Sequence, residues 1–375
     1  MKVKKIKKII SFKDVNVNKK SRIYGCYPHI VRNKIYWQSR VDGQPTSVEY
    51  ALNPLKNIDI PNDNITLKNS LASQNFRVFY DTNPNIKDSE RWKAIGGYHV
   101  GRSAVKNISD DYNVMSSALH SELKDCNISN NLSITKIRDV VWPEETRLLF
   151  DDSFFHPRHA NGFYIFKSED GIKWEAHSEK PILSAFTQCE GKGVSLGSDN
   201  MPSIFYDPNL NEYTAYLRCN IKLGVRNVLV TSSKDLKNWD PPKLIQKEPE
   251  FDAVHENLYY FDAYYSESLN TYIGFAPHFK NEILKEDGSQ RKYYDAKTLV
   301  MMSHDKINWR VVDELFSDGS TGHLTQKHVI SFLEDDEKYY LCVHENFMTP
   351  NNSVFLYELD SSYIKEEAKK FKEEK

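Results

Sequence analysis

The sequence predicts an all-β protein, a five-bladed β-propeller of four-stranded antiparallel blades with an inserted loop region and a short C-terminal helix. Three observations predict it: a turn motif that recurs along the chain, a hairpin motif that recurs in the same phase, and a high aromatic content. Phe, Trp and Tyr make up 13% of the residues, and these residue types favour β-strands. Because regular internal repeats are typical of propellers and solenoids, the two motifs decide the fold class.

The first repeat is a turn of the form Ser-x-Asp-x-x-x-Trp. It occurs at Ser168–Trp174, Ser233–Trp239 and Ser303–Trp309, with serines 65 and then 70 residues apart. A Ser/Asp pair can hydrogen-bond its own backbone in a turn, and the Trp can then pack inward at the start of the next strand. The three tryptophans are therefore predicted to occupy matching positions between blades.

The second repeat is a hairpin in which a polar residue opens the turn six positions before an aromatic residue. The pairs are Asp207 and Tyr213, Ser266 and Tyr272, and Glu334 and Tyr340. Hairpins with other turns are predicted within 77–95 and 27–38, where alternating apolar residues fit half-buried strands. With a further strand and a closing strand, each hairpin makes one four-stranded blade. The blades are predicted near residues 12–70, 71–182, 183–248, 249–315 and 316–362.

These blades are predicted to form one domain over residues 1–362, followed by a charged, exposed helix or tail at 363–375. Residues 98–161 interrupt the second blade and are rich in Asn, Ser and Asp. This stretch is predicted to be an insertion, either an ordered lid or binding loop or a disordered segment. The basic start, Met1–Ile10, is predicted to be a solvated arm or a first edge strand, since it lacks the apolar stretch of a secretory signal.

Composition narrows the classes of function. A net charge of −2 gives no electrostatic reason to expect a nucleic acid as partner. No apolar run approaches the roughly 18 residues that a membrane span needs. Five cysteines without a Cys-x-x-Cys pair favour free thiols and a cytoplasmic location. No cofactor and no metal site is predicted, because the sequence has no P-loop, no Gly-x-Gly-x-x-Gly and no His-Glu-x-x-His motif.

Three segments resemble the superfamily of five-bladed propeller glycosidases, which includes the invertase/fructanase, arabinanase/xylosidase and mannoside-phosphorylase groups. They are residues 81–94, 168–174 and 198–218, and the Ser-x-Asp-x-x-x-Trp turn is typical of that superfamily. The resemblance implies an enzyme that cleaves or transfers a glycosidic bond in an oligosaccharide or a glycoconjugate. It also implies that acids on the innermost strands of successive blades face an axial funnel.

Asp199 and Glu256 are the predicted catalytic pair, with Glu256 as proton donor. They lie eight residues before Asp207 and ten before Ser266, so they share strand parity and should point to the same face. Cleavage of a glycosidic bond usually needs two such carboxyl groups. The alternative is that either acid caps a turn or pairs with a nearby arginine.

Further candidates complete the predicted site. Asp81 is a third candidate for catalysis, although Asp-x-Asn-Pro is also ordinary turn chemistry. Asp152, with Asp151, could reach the funnel from the insertion. Arg218 is predicted either to recognise an anion or to form a salt bridge. Polar residues in inward positions are predicted to bind sugar hydroxyls or a phosphate: His29, Gln74, Asn75, Lys192, His323 and Gln326. For the two histidines, a satisfied core position is the alternative.

Two functions from different classes stay open. The first is a carbohydrate-active enzyme, which the presence of Asp199 and Glu256 favours. The second is a non-catalytic carbohydrate-binding propeller that has lost the full acid/base set, which the absence of an acid near residue 75 favours. A third, a protein-interaction scaffold, predicts a flat apolar face instead of an acidic funnel. The sequence leaves the oligomeric state open.

Overall fold

The computed structural model describes residues 2–15, 21–41, 47–67, 75–98, 162–177, 182–184, 195–196, 201–221, 225–252, 255–284, 291–320, 327–335, 337–347, 349 and 351–374. Within these residues the chain forms five separate β-sheets and two α-helices. The fold is the five-bladed propeller that the repeats predict. None of the described helices is both long enough and apolar enough to cross a membrane.

The strands follow the blades in chain order, except that strand β1 (Val3–Ser11) belongs to the last blade. Blade 1 contains β2 (Ser21–Val31), β3 (Lys34–Val41), β4 (Ser47–Leu52) and β5 (Ile65–Leu67). Blade 2 contains β6 (Arg77–Tyr80), β7 (Trp92–Tyr98), β8 (Gly162–Ser168), β9 (Glu175–Ala176) and β10 (Leu183–Ser184). The predicted insertion falls between β7 and β8 and, after residue 98, lies outside the described residues.

The other three blades complete the ring. Blade 3 contains β11 (Ser195–Leu196), β12 (Ser203–Asp207), β13 (Glu212–Asn220), β14 (Arg226–Ser233) and β15 (Lys243–Leu244). Blade 4 contains β16 (Gln246–Glu248), β17 (Glu256–Leu258), β18 (Asp262–Ser266), β19 (Thr271–Ile283), β20 (Arg291–Ser303) and β21 (Asn308–Ser320). Blade 5 contains β22 (Lys327–Asp335), β23 (Lys338–Glu345), β24 (Ser353–Leu359) and β1.

The inner strands β2, β6, β12, β18 and β22 contact one another in sequence around the axis, and β22 contacts β2 again. Strand β1 pairs antiparallel with β24 at the outer edge of blade 5, so the edge-strand interpretation of the N-terminus is confirmed. The first and the last strand of the chain therefore lie in one sheet, and pairing between them closes the ring. Among the described strands, only the short contact between β16 and β21 is parallel.

The three Ser-x-Asp turns share one geometry. In each, the Asp carboxylate accepts two successive backbone N–H groups: from Ile172 and Lys173 at 2.7 and 2.9 Å, from Lys237 and Asn238 at 2.8 Å each, and from Ile307 and Asn308 at 2.9 and 2.7 Å. The residue after each Asp has a positive φ, namely Gly171, Leu236 and Lys306. A Cβ atom on Gly171 would lie 2.7 Å from the Tyr36 hydroxyl of blade 1, so only glycine fits that turn without a shift of the neighbouring blade.

The three repeat tryptophans lie in matching positions between neighbouring blades, as predicted. The indole of Trp174 donates to Thr66 Oγ1 of blade 1 at 2.8 Å. Trp239 packs against an apolar cluster that blades 2 and 3 share. The ring of Trp309 packs edge-on against Tyr216 of blade 3, 5.7 Å between centroids. Each tryptophan thus attaches its own blade to the preceding one.

The hairpin motif also joins neighbouring blades. The Asp207 carboxylate accepts the hydroxyl of Tyr272 from the next blade, and Ser268 lies 2.8 Å from the hydroxyl of Tyr339 in blade 5. In blade 5 the turn runs from Asp335 to Lys338, so the prediction for that hairpin is off by one residue. This turn is two residues shorter than the turns that open at Asp207 and Ser266. The aromatic residue that contacts the preceding blade is therefore Tyr339 and not the predicted Tyr340.

Helix α1 (Phe12–Val15) is a single turn, whereas α2 (Ser361–Glu373) packs across the propeller. Ile364, Ala368 and Phe371 of α2 are buried in the apolar cluster of blades 4 and 5. The prediction of a C-terminal helix is confirmed, but the expectation that it is exposed is wrong for this face. The segment is rich in Lys and Glu, so its composition alone suggests an exposed helix. The spacing of the three apolar residues, by four and then three positions, instead places them on one face of the helix.

Candidate functional site

A pocket lies where the inner strands of the five blades converge, and we call it the axial pocket. Every blade contributes to its lining: Tyr27 and Pro28, Arg77, Met201–Ser203, Tyr260–Asp262 and His328–Ile330. Arg77, Ser203 and Asp262 are the first residues of β6, β12 and β18, and His328 is the second residue of β22. Because the inner strands run in the same direction through the ring, their N-terminal ends meet at one level of the axis.

A buried ion pair crosses the axial pocket. Arg77 of blade 2 donates from Nη2 to Asp262 Oδ1 of blade 4 at 2.7 Å, and the two side chains are only 12% and 7% exposed. The Tyr264 hydroxyl donates to the other carboxylate oxygen of Asp262 at 2.5 Å. Arg77 also approaches the backbone carbonyl of Ile330 in blade 5, at 3.4 Å. The pair therefore connects blade 2 across the axis to the neighbouring blades 4 and 5.

The electrostatics of this pair oppose burial. Burial raises the pKa of Asp262, while the Arg77 guanidinium and the Tyr264 hydroxyl act to lower it by stabilising the carboxylate. For Arg77, burial acts to lower the pKa, but the Asp262 charge outweighs it and the pKa is raised. For Asp262 burial outweighs these contacts, so its pKa is raised on balance, and the geometry places the carboxyl group and the guanidinium together on the wall of the pocket.

Aromatic rings form much of the remaining wall. Tyr27 and Tyr260 meet edge-on, 5.3 Å between centroids, and His328 stacks near Tyr260 at 6.1 Å. Tyr27 has a positive φ and lies where the pairing of β2 with β3 is irregular. This irregularity turns the strand locally, at the point where Tyr27 lines the pocket. An apolar, aromatic wall with a few charged groups is the usual composition of a small-molecule site.

Glu256, the predicted proton donor, lies at the start of β17 and its side chain is 19% exposed. One carboxylate oxygen accepts the backbone N–H of Asp252 at 2.8 Å. The other lies 3.5 Å from His278 Nε2 and 3.8 Å from Lys280 Nζ. Glu256 is therefore a partly exposed carboxylate between two nitrogen groups, and its catalytic role stays a prediction.

The parity argument that joined Asp199 to Glu256 does not apply to this structure. In blade 4 residues 259–261 separate β17 from β18, and in blade 3 residues 201 and 202, directly before β12, belong to no strand. Alternation of side chains holds only along a continuous strand. These breaks remove the basis for counting back from the hairpin turns, and Asp199 itself lies outside the described residues.

Asp81 is fully buried in the turn of the second hairpin. One carboxylate oxygen accepts the backbone N–H of Asn83 at 3.0 Å, and the other accepts the Tyr213 hydroxyl of blade 3 at 2.9 Å. Lys93 Nζ lies 3.6 Å away. This is the same contact between blades that Asp207 makes, so the geometry favours the turn chemistry that the sequence left as the alternative.

His29 and Asn75 are also buried, away from solvent. His29 Nε2 accepts the backbone N–H of Val78 at 2.9 Å, and Nδ1 lies 3.3 Å from the Tyr27 carbonyl. The backbone N–H of Asn75 donates to Gln38 Oε1 at 3.3 Å. For His29 these contacts favour the satisfied core position. The other predicted site residues lie outside the described residues: Gln74, Asp152, Lys192, Asp199, His323 and Gln326.

Sequence reasoning missed the residues that line the axial pocket, although a signal for them exists. Arg77, Ser203 and Asp262 each lie four positions before the residue that opens the hairpin turn of their blade, and Tyr27 lies four before Val31. The repeat therefore marks one position that faces the axis in four of the five blades. The search for paired acids, which selected residues earlier in the chain of blades 3 and 4, did not consider it.

One further motif in the sequence has the pattern of a nucleophile elbow. Residues 193–197 read Gly-Val-Ser-Leu-Gly, which matches Gly-x-Ser-x-Gly. A nucleophile elbow needs the serine at a sharp turn between a strand and a helix. Ser195 instead lies in strand β11, opposite Asn220, so this context does not support serine chemistry.

His278 provides a pH-dependent contribution to stability beside Glu256. Burial lowers the pKa of His278 from 6.5 to about 4, although the Glu256 carboxylate opposes the shift. As the pH falls from about 6.5 to about 4, the unfolded chain takes up a proton at this residue and the folded chain does not. The free energy of unfolding should therefore fall by about 3 kcal/mol over that range from this residue alone.

Urea unfolding at pH 7, 5.5 and 4.5 measures this loss, with His278→Gln as the matched variant. The variant should lose less stability on acidification than the parent does. Parallel pH profiles for the two proteins would show that His278 is not held neutral by the fold.

Comparison with known proteins finds no protein-family model and no curated protein sequence that matches the chain. Solved structures that it resembles include glycoside hydrolases. One, described as a glycoside hydrolase, has 11% identity over 92% of this chain and 93% of its own, with a TM-score of 0.48. The α-L-arabinanase of Penicillium chrysogenum, complexed with arabinobiose, has 9% identity over 96% and 99%, with a TM-score of 0.46. A family 117 glycoside hydrolase of the marine bacterium Zobellia galactanivorans has 8% identity over 96% and 90%, with a TM-score of 0.45.

The residues of this chain define it as a five-bladed β-propeller with an axial pocket of aromatic and charged lining. What the pocket does must be inferred from the groups that line it, since fold and function are separable.

Proposed function

We propose that the chain is a carbohydrate-active enzyme that cleaves or transfers a glycosidic bond and holds a sugar in the axial pocket. The observation that supports this most is the Asp262 carboxyl group on the pocket wall, whose charged form the Arg77 guanidinium and the Tyr264 hydroxyl stabilise. Cleavage of a glycosidic bond develops positive charge at the sugar ring, and a fixed carboxylate beside the ring stabilises it. The neighbouring faces of Tyr27 and Tyr260 suit contact with a sugar.

In this proposal Glu256 donates the proton to the leaving oxygen. It lies in β17, directly before the segment that contributes Tyr260 to the pocket, and it is partly exposed. Asp199 is the second acid of the proposed pair. It belongs to the connection between β11 and β12, two residues before Met201, which lines the axial pocket. Asp262 adds a third carboxylate that the sequence analysis did not select.

A second candidate is a carbohydrate-binding propeller without catalysis. One observation favours it: among the described residues that line the axial pocket, Asp262 is the only carboxylate, and it is already paired with Arg77. Such a site would still bind a sugar through its aromatic rings and its charged pair. The two candidates differ only in whether bound ligand is converted.

The proposal is tested with a panel of oligosaccharides and aryl glycosides. Calorimetry measures binding of each compound, and the appearance of new reducing ends or of released aryl group measures turnover. Binding with product formation is the result that the proposal predicts. Binding without product would select the second candidate. If no carbohydrate binds at millimolar concentration, both candidates are wrong.

A further inference from the structure

Two arginines of blade 3 lie against one tyrosine of blade 4. The guanidinium carbons of Arg218 and Arg226 are 5.3 and 5.0 Å from the centre of the Tyr259 ring. Arg226 also faces the rings of Phe279 and Tyr293, at 5.9 and 5.8 Å. We call these five residues the arginine–aromatic cluster. Cation–π contact explains why the rings are attracted to the arginines.

The cluster adjoins the axial pocket. Tyr259 directly precedes Tyr260, which lines the pocket, and the two rings are 4.3 Å apart. Tyr259, Tyr260 and Phe279 belong to one apolar group, with Tyr27 packed against it. A ligand that occupies the axial pocket therefore contacts Tyr260, whose ring lies directly beside Tyr259 of the cluster.

Arg226 has no acidic partner among the described residues. Its Nε atom is shielded from solvent and makes no hydrogen bond within the described part of the chain. Its one side-chain hydrogen bond there, to the Tyr293 hydroxyl, is long at 3.5 Å. Arg226 as a whole is only partly buried, but a guanidinium N–H that is shielded from solvent and has no acceptor is destabilising. An acceptor on an anionic ligand would satisfy it.

Two other arginines show what such a partner looks like. Arg77 pairs with Asp262 at 2.7 Å, and Arg310, which is 24% exposed, pairs with Glu374 at 2.5 Å. The backbone N–H of Arg226 donates to Asn257 Oδ1 of blade 4 at 2.9 Å. The guanidinium is thus held in place by blade 4 while its charge is left for a group from outside the described residues.

We propose that the arginine–aromatic cluster binds an anionic substituent of the glycan, with Arg226 as the principal donor and Arg218 beside it. The inference rests on the proposed carbohydrate function and names its substrate class: an acidic glycan that carries a carboxylate, sulfate or phosphate group. A guanidinium presents its N–H donors in a planar fork that matches two oxygens of any of these groups. The alternative is that the cluster is only a structural contact between blades, and measured affinities for neutral and anionic sugars distinguish the two.

The test measures affinity by calorimetry for matched oligosaccharides: a neutral member and the same sugar with one carboxylate, one sulfate or one phosphate. The parent should bind at least one anionic member about 10- to 100-fold more tightly than the neutral one, as expected for one charge-assisted contact. Arg226→Gln should remove that preference and leave the neutral affinity unchanged. Arg310→Gln, which breaks a pair at helix α2, is the matched control and should change neither affinity. The preference among the three anionic members identifies the anion.

Inorganic sulfate provides a second measurement. It should compete with the preferred anionic member and not with the neutral one, and added NaCl should weaken only the anionic member. If Arg226→Gln does not fold by circular dichroism, Arg226→Lys keeps the charge but not the planar fork, and it should lower the anionic preference alone.

The outcomes separate this inference from the proposed function. Equal affinities for neutral and anionic members, or an equal loss of both in the Arg226 variants, would overturn the anion site while the carbohydrate function stands. Failure of every member to bind would overturn both.

Discussion

Replacement of Asp262 by asparagine should lower turnover by about 10²–10³-fold, because it removes the carboxylate that faces the bound sugar. It should also lower the free energy of unfolding by about 3–5 kcal/mol, since Arg77 is left as a buried charge without its partner. Rates with the best substrate from the panel, and urea unfolding of the same preparations, measure the two effects.

A double variant separates chemistry from folding. Arg77→Met combined with Asp262→Asn removes both charges and keeps an acceptor for the Tyr264 hydroxyl, so most of the lost stability should return. Turnover should stay low. If the double variant regains activity together with stability, Asp262 acts only through the fold.

Replacement of Glu256 by glutamine should lower turnover of a natural substrate by about 10²–10⁴-fold, because glutamine keeps the volume but cannot donate a proton. An aryl glycoside with a good leaving group should be affected much less, since its departure needs little acid assistance. The free energy of unfolding should change little, because the side chain is partly exposed. Steady-state rates for both substrate types measure the difference.

Glu267→Gln is the matched control, since Glu267 is exposed in the hairpin turn at the end of β18 opposite to the pocket. It should leave both rates unchanged. An equal loss with natural and activated substrates in Glu256→Gln would show that Glu256 is not the proton donor.

The fold could be predicted from the sequence because the features that set it are local. The Ser-x-Asp turns form from hydrogen bonds between residues two or three positions apart, and such turns recur wherever their sequence does. The following tryptophans then locate the contact between blades. Where the turn length varies, as in the hairpin of blade 5, the predicted turn position is wrong by one residue: the turn opens at Asp335 and not at Glu334.

The site was harder to predict because it depends on contacts between distant segments. Arg77 and Asp262 are 185 residues apart in the chain, and nothing in the local sequence of either residue indicates the other. The interruptions of the inner strands, such as Tyr259–Phe261, also cannot be read from alternation of apolar residues. Only the position four residues before the hairpin turn, which four of the five blades share, connects the pocket residues, and it becomes apparent once the ring is assembled.

The central claim, that the axial pocket holds a sugar beside Asp262, is tested most directly by a crystal structure of the protein with its tightest-binding oligosaccharide. The account predicts one sugar ring against Tyr27 and Tyr260, with ligand atoms within about 3.2 Å of the Asp262 carboxylate. A ligand bound on another face of the propeller, with the axial pocket empty, would contradict it.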